Sequence, residues 1–220
     1  MQRVARPMEC EGKRSATPLS NLTTSLNYAG GGALRLPPHS LMTSRSSEAG
    51  LRLAMRRDNL ENLPHHPVPA GFSLRWYEAG DDQNWLEIHR QADRLNRITP
   101  GLFAEQFGSD AQLLEQRQCY LLGQGNKCLG TATAWFNDDL ENKTWGRVHW
   151  LAVLPQYQGK GLGKSLLSAV CGRLQELGHP RAYLTTSSWR LPAIGLYRRF
   201  GFTPWIRSAE EEVAWAAMAP

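Results

Sequence analysis

Residues 147–177 read RVHWLAVLPQYQGKGLGKSLLSAVCGRLQEL and decide how the rest of the chain is organised. The first eight residues are mostly apolar and predict a strand, and the glycine-rich segment 158–165 predicts a loop. After the loop, apolar residues recur at helical spacing as far as Leu177, so a helix follows. The glycines allow close approach of the backbone to a ligand, and the free N–H groups at the helix start carry partial positive charge. The loop is therefore predicted to bind an anion, typically a phosphate group.

The spacing of the glycines tests which phosphate ligand the loop suits. A nucleotide P-loop requires a glycine at the position of Gln158, and a dinucleotide fingerprint starting at Gly159 requires one at the position of Lys164. The pattern Gln-x-x-Gly-x-Gly fits, with Gln158, Gly161 and Gly163. It resembles the acetyl-CoA pyrophosphate loop of the GNAT superfamily of N-acetyltransferases. The alternative is a tight glycine turn that only packs a helix on a sheet.

A second stretch, residues 193–202, reads AIGLYRRFGF and is similar to the second GNAT signature. The resemblance covers about residues 72–206. It implies an α/β (α+β) GNAT fold: a central mixed, mostly antiparallel sheet with splayed parallel strands four and five, flanked by helices. Residues 147–154 correspond to strand four and residues 181–186 to strand five. Ser208 and Glu211 predict a capping box for a last helix, at a place where many relatives have a strand.

Composition divides the chain into three parts. Residues 1–54 contain one aromatic residue and seven Lys/Arg against three Glu, a net charge of 7 − 3 = +4. A segment so poor in large apolar side chains cannot offset its ordering entropy, so we predict a disordered basic tail. Three interpretations stay open: a transit-like segment, a tail for acidic partners, or a segment absent from the natural protein, which would then start at Met42 or Met55. Residues 55–71 predict an irregular arm, and residues 72–220 the acetyltransferase domain, with its first strand over 72–77.

Charge and cysteine usage exclude several classes of partner. The chain carries +5 in total, so residues 55–220 carry only 5 − 4 = +1, which does not favour a nucleic-acid surface. No apolar run is long enough for a membrane span or a signal sequence, and the four cysteines show no Cys-x-x-Cys spacing. We expect a soluble, cytoplasmic protein with no nucleic-acid or membrane partner, no disulfide framework and no metal.

The resemblance implies transfer of an acetyl group from acetyl-CoA to an amine. The pantetheine arm is expected to pair with the backbone of strand four, and the loop to hold the diphosphate with added charge from two lysines. The expected cofactor-binding residues are Leu151, Ala152, Val153, Gln158, Gly159, Lys160, Gly161, Leu162, Gly163 and Lys164. The acceptor is expected to be a small-molecule or peptide amine. A homodimer is one alternative for the oligomeric state.

Two residues are expected to move protons. Tyr197 matches the family tyrosine near the thioester sulfur, and a phenol can protonate the leaving thiolate. His149 matches the proton-relay histidine of arylalkylamine-type members, and either it or a water molecule is the expected base. The alternative is a packed histidine on a buried strand. Alternation places His149 on one face of strand four with Leu151 and Val153.

Other features leave the assignment open. Acids in the turn before strand four, Asp138, Asp139 and Glu141, are an alternative source of a base. Arg190 stands where the family often has an asparagine that contacts the cofactor arm. A non-catalytic acyl-CoA-binding module of the same fold therefore remains an alternative to the enzyme. His65, His66 and His89 have no candidate partners around them and are expected at the surface or in the arm.

Overall fold

A computed structural model of the protein describes residues 50–140 and 143–218. Seven strands lie within these ranges: β1 (Arg52–Arg57), β2 (Ser73–Trp76), β3 (Gln118–Leu122), β4 (Cys128–Leu140), β5 (Lys143–Val153), β6 (Ala182–Ser187) and β7 (Thr203–Trp205). Six α-helices accompany them: α1 (Asp81–Ala92), α2 (Leu102–Phe107), α3 (Ala111–Arg117), α4 (Leu162–Glu176), α5 (Leu191–Arg199) and α6 (Ala209–Ala217). None of these helices is long and apolar enough to cross a membrane.

The strands form one mixed sheet in the order β2-β3-β4-β5-β6-β1-β7. All neighbours are antiparallel except β5 and β6, which are parallel. Parallel pairing joins only Gly146 to Ala182 and Arg147 to Tyr183. Beyond these two pairs the strands have no backbone pairing with each other, so a gap opens between them. The predicted sheet with two splayed parallel strands is confirmed.

Helices cover both faces of the sheet, and two contacts identify which helix covers which face. A Cβ atom on Gly146 would lie 2.9 Å from a methyl carbon of Leu174, so α4 packs on the face to which Gly146 and Val148 belong. On the opposite face, the Phe107 ring of α2 lies 5.6 Å from the His149 ring. The buried residues of α4, including Cys171, lie on the side of the sheet to which Gly146 belongs.

The start of the domain differs from the prediction. Strand β1 begins at Arg52, inside the segment predicted to be a disordered tail, and it continues into the segment predicted to be an irregular arm. Its inward side chains Leu53 and Met55 are fully buried, which explains why so short a segment is ordered. The strand predicted over 72–77 is therefore the second of the described strands and spans Ser73–Trp76. The rest of the predicted tail, residues 1–49, lies outside the described residues.

The carboxyl-terminal helix was predicted and is present. The Ser208 side chain accepts a hydrogen bond from the Glu211 backbone N–H at 3.2 Å, which caps the first turn of α6. Glu211 does not complete the box with the Ser208 N–H; its carboxylate instead accepts from the Arg207 N–H at 2.8 Å. In the sheet, β1 lies between β6 and β7, although it comes from the other end of the domain sequence.

Candidate active site

A cavity of about 690 Å³ lies at the gap between β5 and β6. It is lined by the end of β5, the glycine loop, the start of α4, α5, and residues of α1 and α2. Ten of the twelve predicted site residues line it: His149, Leu151, Ala152, Val153, Gln158, Gly159, Gly161, Leu162, Gly163 and Tyr197. Lys160 and Lys164 do not. Residues from both faces of the sheet contribute, so the cavity passes through the sheet.

The glycine loop has the backbone conformation that its sequence requires. Gly159 and Gly161 have φ angles of 78° and 82°, in the left-handed region that glycine tolerates best. Gly161 is the N-cap of α4, and no side chain caps the helix, so its first N–H groups stay available at the cavity. The Gln158 side chain donates to the Val153 carbonyl oxygen at 2.8 Å, which ties the loop to the end of β5. The Lys160 ammonium lies 5.3 Å from the centre of the Tyr157 ring.

A bulge in β5 changes which side chains share a face. Thr133 pairs with His149 and Thr131 with Ala152, so two residues of β5 stand opposite one residue of β4. Trp150 lies in the bulge with a φ angle of 49°. Because directly paired residues point to the same face, Ala152 shares a face with His149. The prediction that Leu151 and Val153 share that face was therefore wrong, since strict alternation ends at the bulge.

His149 is held by a glutamine that the sequence analysis did not identify. The Trp150 indole N–H donates to Gln106 Oε1 at 2.9 Å, and His149 Nε2 lies 3.2 Å from the same oxygen. An indole nitrogen can only donate, so the Gln106 atom that it contacts must be the oxygen. This oxygen can only accept, so His149 Nε2 carries the proton. Its Nδ1 then has the free lone pair.

Burial determines the protonation state of the two predicted proton-transfer residues. The His149 side chain is buried, and burial, with the nearby positive charge of Arg147, holds its pKa well below the ordinary value of a histidine. Burial also raises the pKa of Tyr197 to about 12, although the charge of Arg190 opposes this effect. At neutral pH the histidine is thus neutral and the tyrosine is protonated. The side chains of Asp138, Asp139 and Glu141 lie outside the described part of the structure.

His89 is a second histidine of the cavity, and its predicted surface position was wrong. Its side chain is 1% exposed and packs between the Trp85 ring at 4.2 Å and the Trp150 ring at 4.9 Å. Within the described residues, neither ring nitrogen has a partner in hydrogen-bond geometry, although the Trp150 backbone is close enough to favour the protonated ring weakly. Burial dominates and lowers the His89 pKa to about 3. The sequence contained a signal, since His89 is four residues after the apolar Trp85 on a helix.

Arg190, which replaces the family asparagine, forms an ion pair at the cavity. One of its terminal nitrogens donates to both carboxylate oxygens of Asp93, at 2.7 and 2.9 Å. The Asp93 side chain is 5% exposed, so this pair fixes the end of α1 beside the start of α5. The arginine therefore has a structural partner of its own.

Comparison with known proteins identifies the family to which the chain is similar. The model of the acetyltransferase (GNAT) family matches residues 76–202. A mycothiol acetyltransferase of Pseudarthrobacter chlorophenolicus is 32% identical over 155 residues, which cover 66% of this chain and 46% of that protein. A mycothiol acetyltransferase of Acidothermus cellulolyticus is 28% identical over 197 residues, covering 80% of this chain and 60% of that protein.

The fold has counterparts among solved structures. The crystal structure of a GCN5-related N-acetyltransferase from Sphaerobacter thermophilus superposes with a TM-score of 0.58 at 21% identity, covering 70% of this chain and 48% of that chain. The chain thus spans about half the length of the relatives that it matches. The family match takes in β5, the glycine loop, α4 and the tyrosine of α5, which are the elements that build the cavity. The chain therefore belongs to the GNAT family of acetyltransferases.

Proposed function

We propose that the protein transfers an acetyl group from acetyl-CoA to a primary amine of a small molecule or peptide, by direct attack of the amine on the thioester. The observation that carries this proposal is the single cavity that joins the glycine loop to His149 and Tyr197 through the gap in the sheet. A donor whose diphosphate lies at one end of this cavity can reach both residues with its thioester. An acceptor can approach from the face on which His149 lies.

The donor would be held mainly by backbone groups. The β5 groups that point toward β6 beyond Arg147 have no strand partner there, so Leu151, Ala152 and Val153 can hydrogen-bond the pantetheine arm. The free N–H groups at the start of α4 would bind the diphosphate, with Lys160 and Lys164 adding positive charge from outside the cavity wall. A backbone N–H of β5 would polarise the thioester carbonyl and stabilise the developing oxyanion.

The proton transfers follow from the protonation states. An alkyl amine has a pKa near 10 and must lose a proton before attack. His149 Nδ1 would accept it, directly or through water, because Nε2 is committed to Gln106. The amine nitrogen then forms a bond to the acetyl carbon, the carbon–sulfur bond breaks, and the nitrogen releases a second proton to solvent as the amide forms. Tyr197 would donate its phenolic proton to the leaving thiolate.

The alternative function is a non-catalytic acyl-CoA-binding module. Two observations favour this alternative. Arg190 is paired with Asp93, and His149 is a weak base because its pKa is well below the ordinary value. A thiol-release assay with acetyl-CoA and a panel of amines separates the two functions. Because relatives are named mycothiol acetyltransferases, primary amines related to mycothiol enter the panel first. Binding of CoA without thiol release for any amine would favour the module.

The position of the donor is tested by placing a negative charge in the loop. Gly161→Asp puts a carboxylate where the diphosphate is proposed to bind, and we expect CoA affinity to fall by more than about tenfold, measured by calorimetry. Gly125→Asp is the matched control, because both glycines have a positive φ and nothing within 4 Å of a Cβ atom, but Gly125 does not line the cavity. Equal CoA affinity in the two variants would contradict the proposed site.

A further inference from the structure

Two arginines of the cavity have no anionic partner within the described residues. Arg52 and Arg147 both line the cavity, and neither forms an ion pair there. Arg147 lies over the Tyr183 ring at 5.7 Å, and its buried Nε has no hydrogen-bond partner in the same set of residues. The remaining charged groups among the described lining residues are the paired Arg190 and Asp93. Three arginines and one aspartate leave a net charge of 3 − 1 = +2.

Strand register places both arginines on the acceptor side of the sheet. Arg147 pairs with Tyr183 of β6, and Arg52 pairs with Ser187, four residues further along the same strand. Residues four apart on a strand share a face, so Arg52 and Arg147 share the face of His149. Both guanidinium groups are close enough to His149 to oppose its protonation.

Arg147 is too far from the glycine loop to serve the donor's diphosphate. Arg147 precedes Val153, at the loop end of β5, by six residues, which corresponds to about 20 Å along a strand. The diphosphate proposed at the loop therefore cannot neutralise Arg147. A second anion, carried by the acceptor, can neutralise Arg147.

An unpaired guanidinium that is partly buried is costly, and two of the same sign in one cavity add repulsion. Burial lowers the pKa of Arg147, and the charge of Arg52 lowers it further. The guanidinium of an arginine nevertheless stays protonated in proteins, so the charge has to be met by a counter-charge or tolerated. Planar guanidinium groups are the side chains best suited to bind carboxylate or phosphate oxygens.

We infer that the amine acceptor carries an anionic oxygen group, a carboxylate or a phosphate, which Arg147 and Arg52 bind while the amine lies beside His149. The inference rests on the proposed function and names the class of its acceptor. Arg147 and His149 are two residues apart on β5, so the anion and the amine should be separated by about 7 Å, the length of a three- or four-carbon chain. The same two positive charges disfavour a bound ammonium and so favour the reactive free amine.

Matched pairs of amines test this inference. The carboxylate pair is γ-aminobutyrate and its amide, and the phosphate pair is O-phosphoethanolamine and ethanolamine. Thiol release from acetyl-CoA gives kcat/KM for each compound. We expect at least one anionic member to be preferred over its neutral partner by about tenfold or more, since a hydrogen bond to a charged group contributes that much. The pair with the larger ratio identifies which anion the acceptor carries.

Variants assign the preference to the arginines. Arg147→Gln and Arg52→Gln should each reduce the preference by about tenfold, while Arg147→Lys should retain part of it. Arg56→Gln is the control, because Arg56 lies on the same strand as Arg52 but pairs with Asp58 and does not line the cavity. A preference of unity in the unmodified protein, or one that survives both Gln substitutions, overturns the inference and leaves the proposed function intact.

A binding measurement that does not depend on acetyl transfer tests the anion site separately from the proposed enzyme activity. With CoA bound, calorimetric titration of γ-aminobutyrate and of its amide measures the same preference even if no amine is acetylated. Tighter binding of the anionic compound that is lost in Arg147→Gln supports the anion site in either case. Equal binding of both compounds, and of the phosphate pair, overturns it. Absence of thiol release with every amine would count against the enzyme alone.

Discussion

Acidification should destabilise this domain through His89, and one substitution should remove most of that histidine's effect. His89 is almost completely buried against Trp85 and Trp150, and its pKa in the folded protein is lowered to about 3. In the unfolded chain a histidine titrates near 6.5. Between these two values the unfolded state binds one more proton than the folded state, so stability falls as the pH drops below about 6.5 and continues to fall until about 3.

The size of the effect follows from the difference between the two pKa values. At pH 5 the unfolded histidine is about 1.5 pH units below its pKa, whereas the folded one is still neutral. At 1.36 kcal/mol per unit, His89 contributes a loss of about 2 kcal/mol between pH 8 and pH 5. His89→Phe keeps an aromatic ring at this position and removes both unpartnered nitrogens. We expect the variant to be at least as stable as the unmodified protein at pH 8.

Urea unfolding at pH 8 and pH 5 measures this contribution. The free energy of unfolding of His89→Phe should fall by about 2 kcal/mol less over this range than that of the unmodified protein. His149 is present in both proteins, so the difference between them isolates His89. His65→Phe serves as control, because His65 is an exposed histidine of the segment before β2. The same pH dependence in the His89 variant as in the unmodified protein would refute the reasoning.

Three further substitutions test other parts of the structure. Tyr197→Phe should lower kcat by about 10- to 100-fold without changing CoA affinity, and an unchanged kcat would remove Tyr197 from the mechanism. Gln106→Glu places a carboxylate about 3.2 Å from His149 Nε2 and should raise the histidine pKa, so that kcat/KM begins to fall at a higher pH than in the unmodified protein. Exposed Gln116→Glu should leave the profile unchanged. Asp81→Asn removes the buried partner of Arg75 and leaves only the exposed Glu78 as its counter-charge, so it should cost about 3 kcal/mol in chemical unfolding. A loss below about 1 kcal/mol would mean that the Arg75–Asp81 pair does not stabilise α1.

Local sequence signals predicted the parts of the site that depend on local conformation. The glycine loop and α4 follow from alternate glycines and a helical apolar period, both of which act within a few residues. The tyrosine of α5 was identified by resemblance to the family signature, and the same resemblance supplied the sheet. Residues 151–153, which are predicted to bind the cofactor, line the cavity because strand β5 leads directly into the loop.

Features that depend on pairing across the sheet escaped prediction. The bulge at Trp150 is visible only in the register of β5 against β4. The alternation of apolar and polar residues along β5 alone does not reveal it. Gln106 reaches His149 of β5 from helix α2, 43 residues away in sequence, so no local pattern connects them. Strand β1 is short and basic at both ends, and its order comes from partners at the far end of the chain. The sequence analysis also did not predict that Arg52, Asp93 and Arg147 line the cavity, because distant parts of the chain bring them together.

The position of β1 has a consequence for synthesis of the protein. Among the described strands β1 is made first, whereas both of its neighbours in the sheet, β6 and β7, are made last. Its nearest partner in sequence, Ala182 opposite Arg57, follows 182 − 57 = 125 residues later. At translation rates of about 5–20 residues per second, β1 waits roughly 6–25 s on the ribosome before it can pair. During that interval Leu53 and Met55 have no sheet to cover them, and unpaired apolar strands are sites of aggregation. The nascent chain is therefore most prone to aggregate at β1. The sheet can be completed only when β6 and β7 have been released from the ribosome.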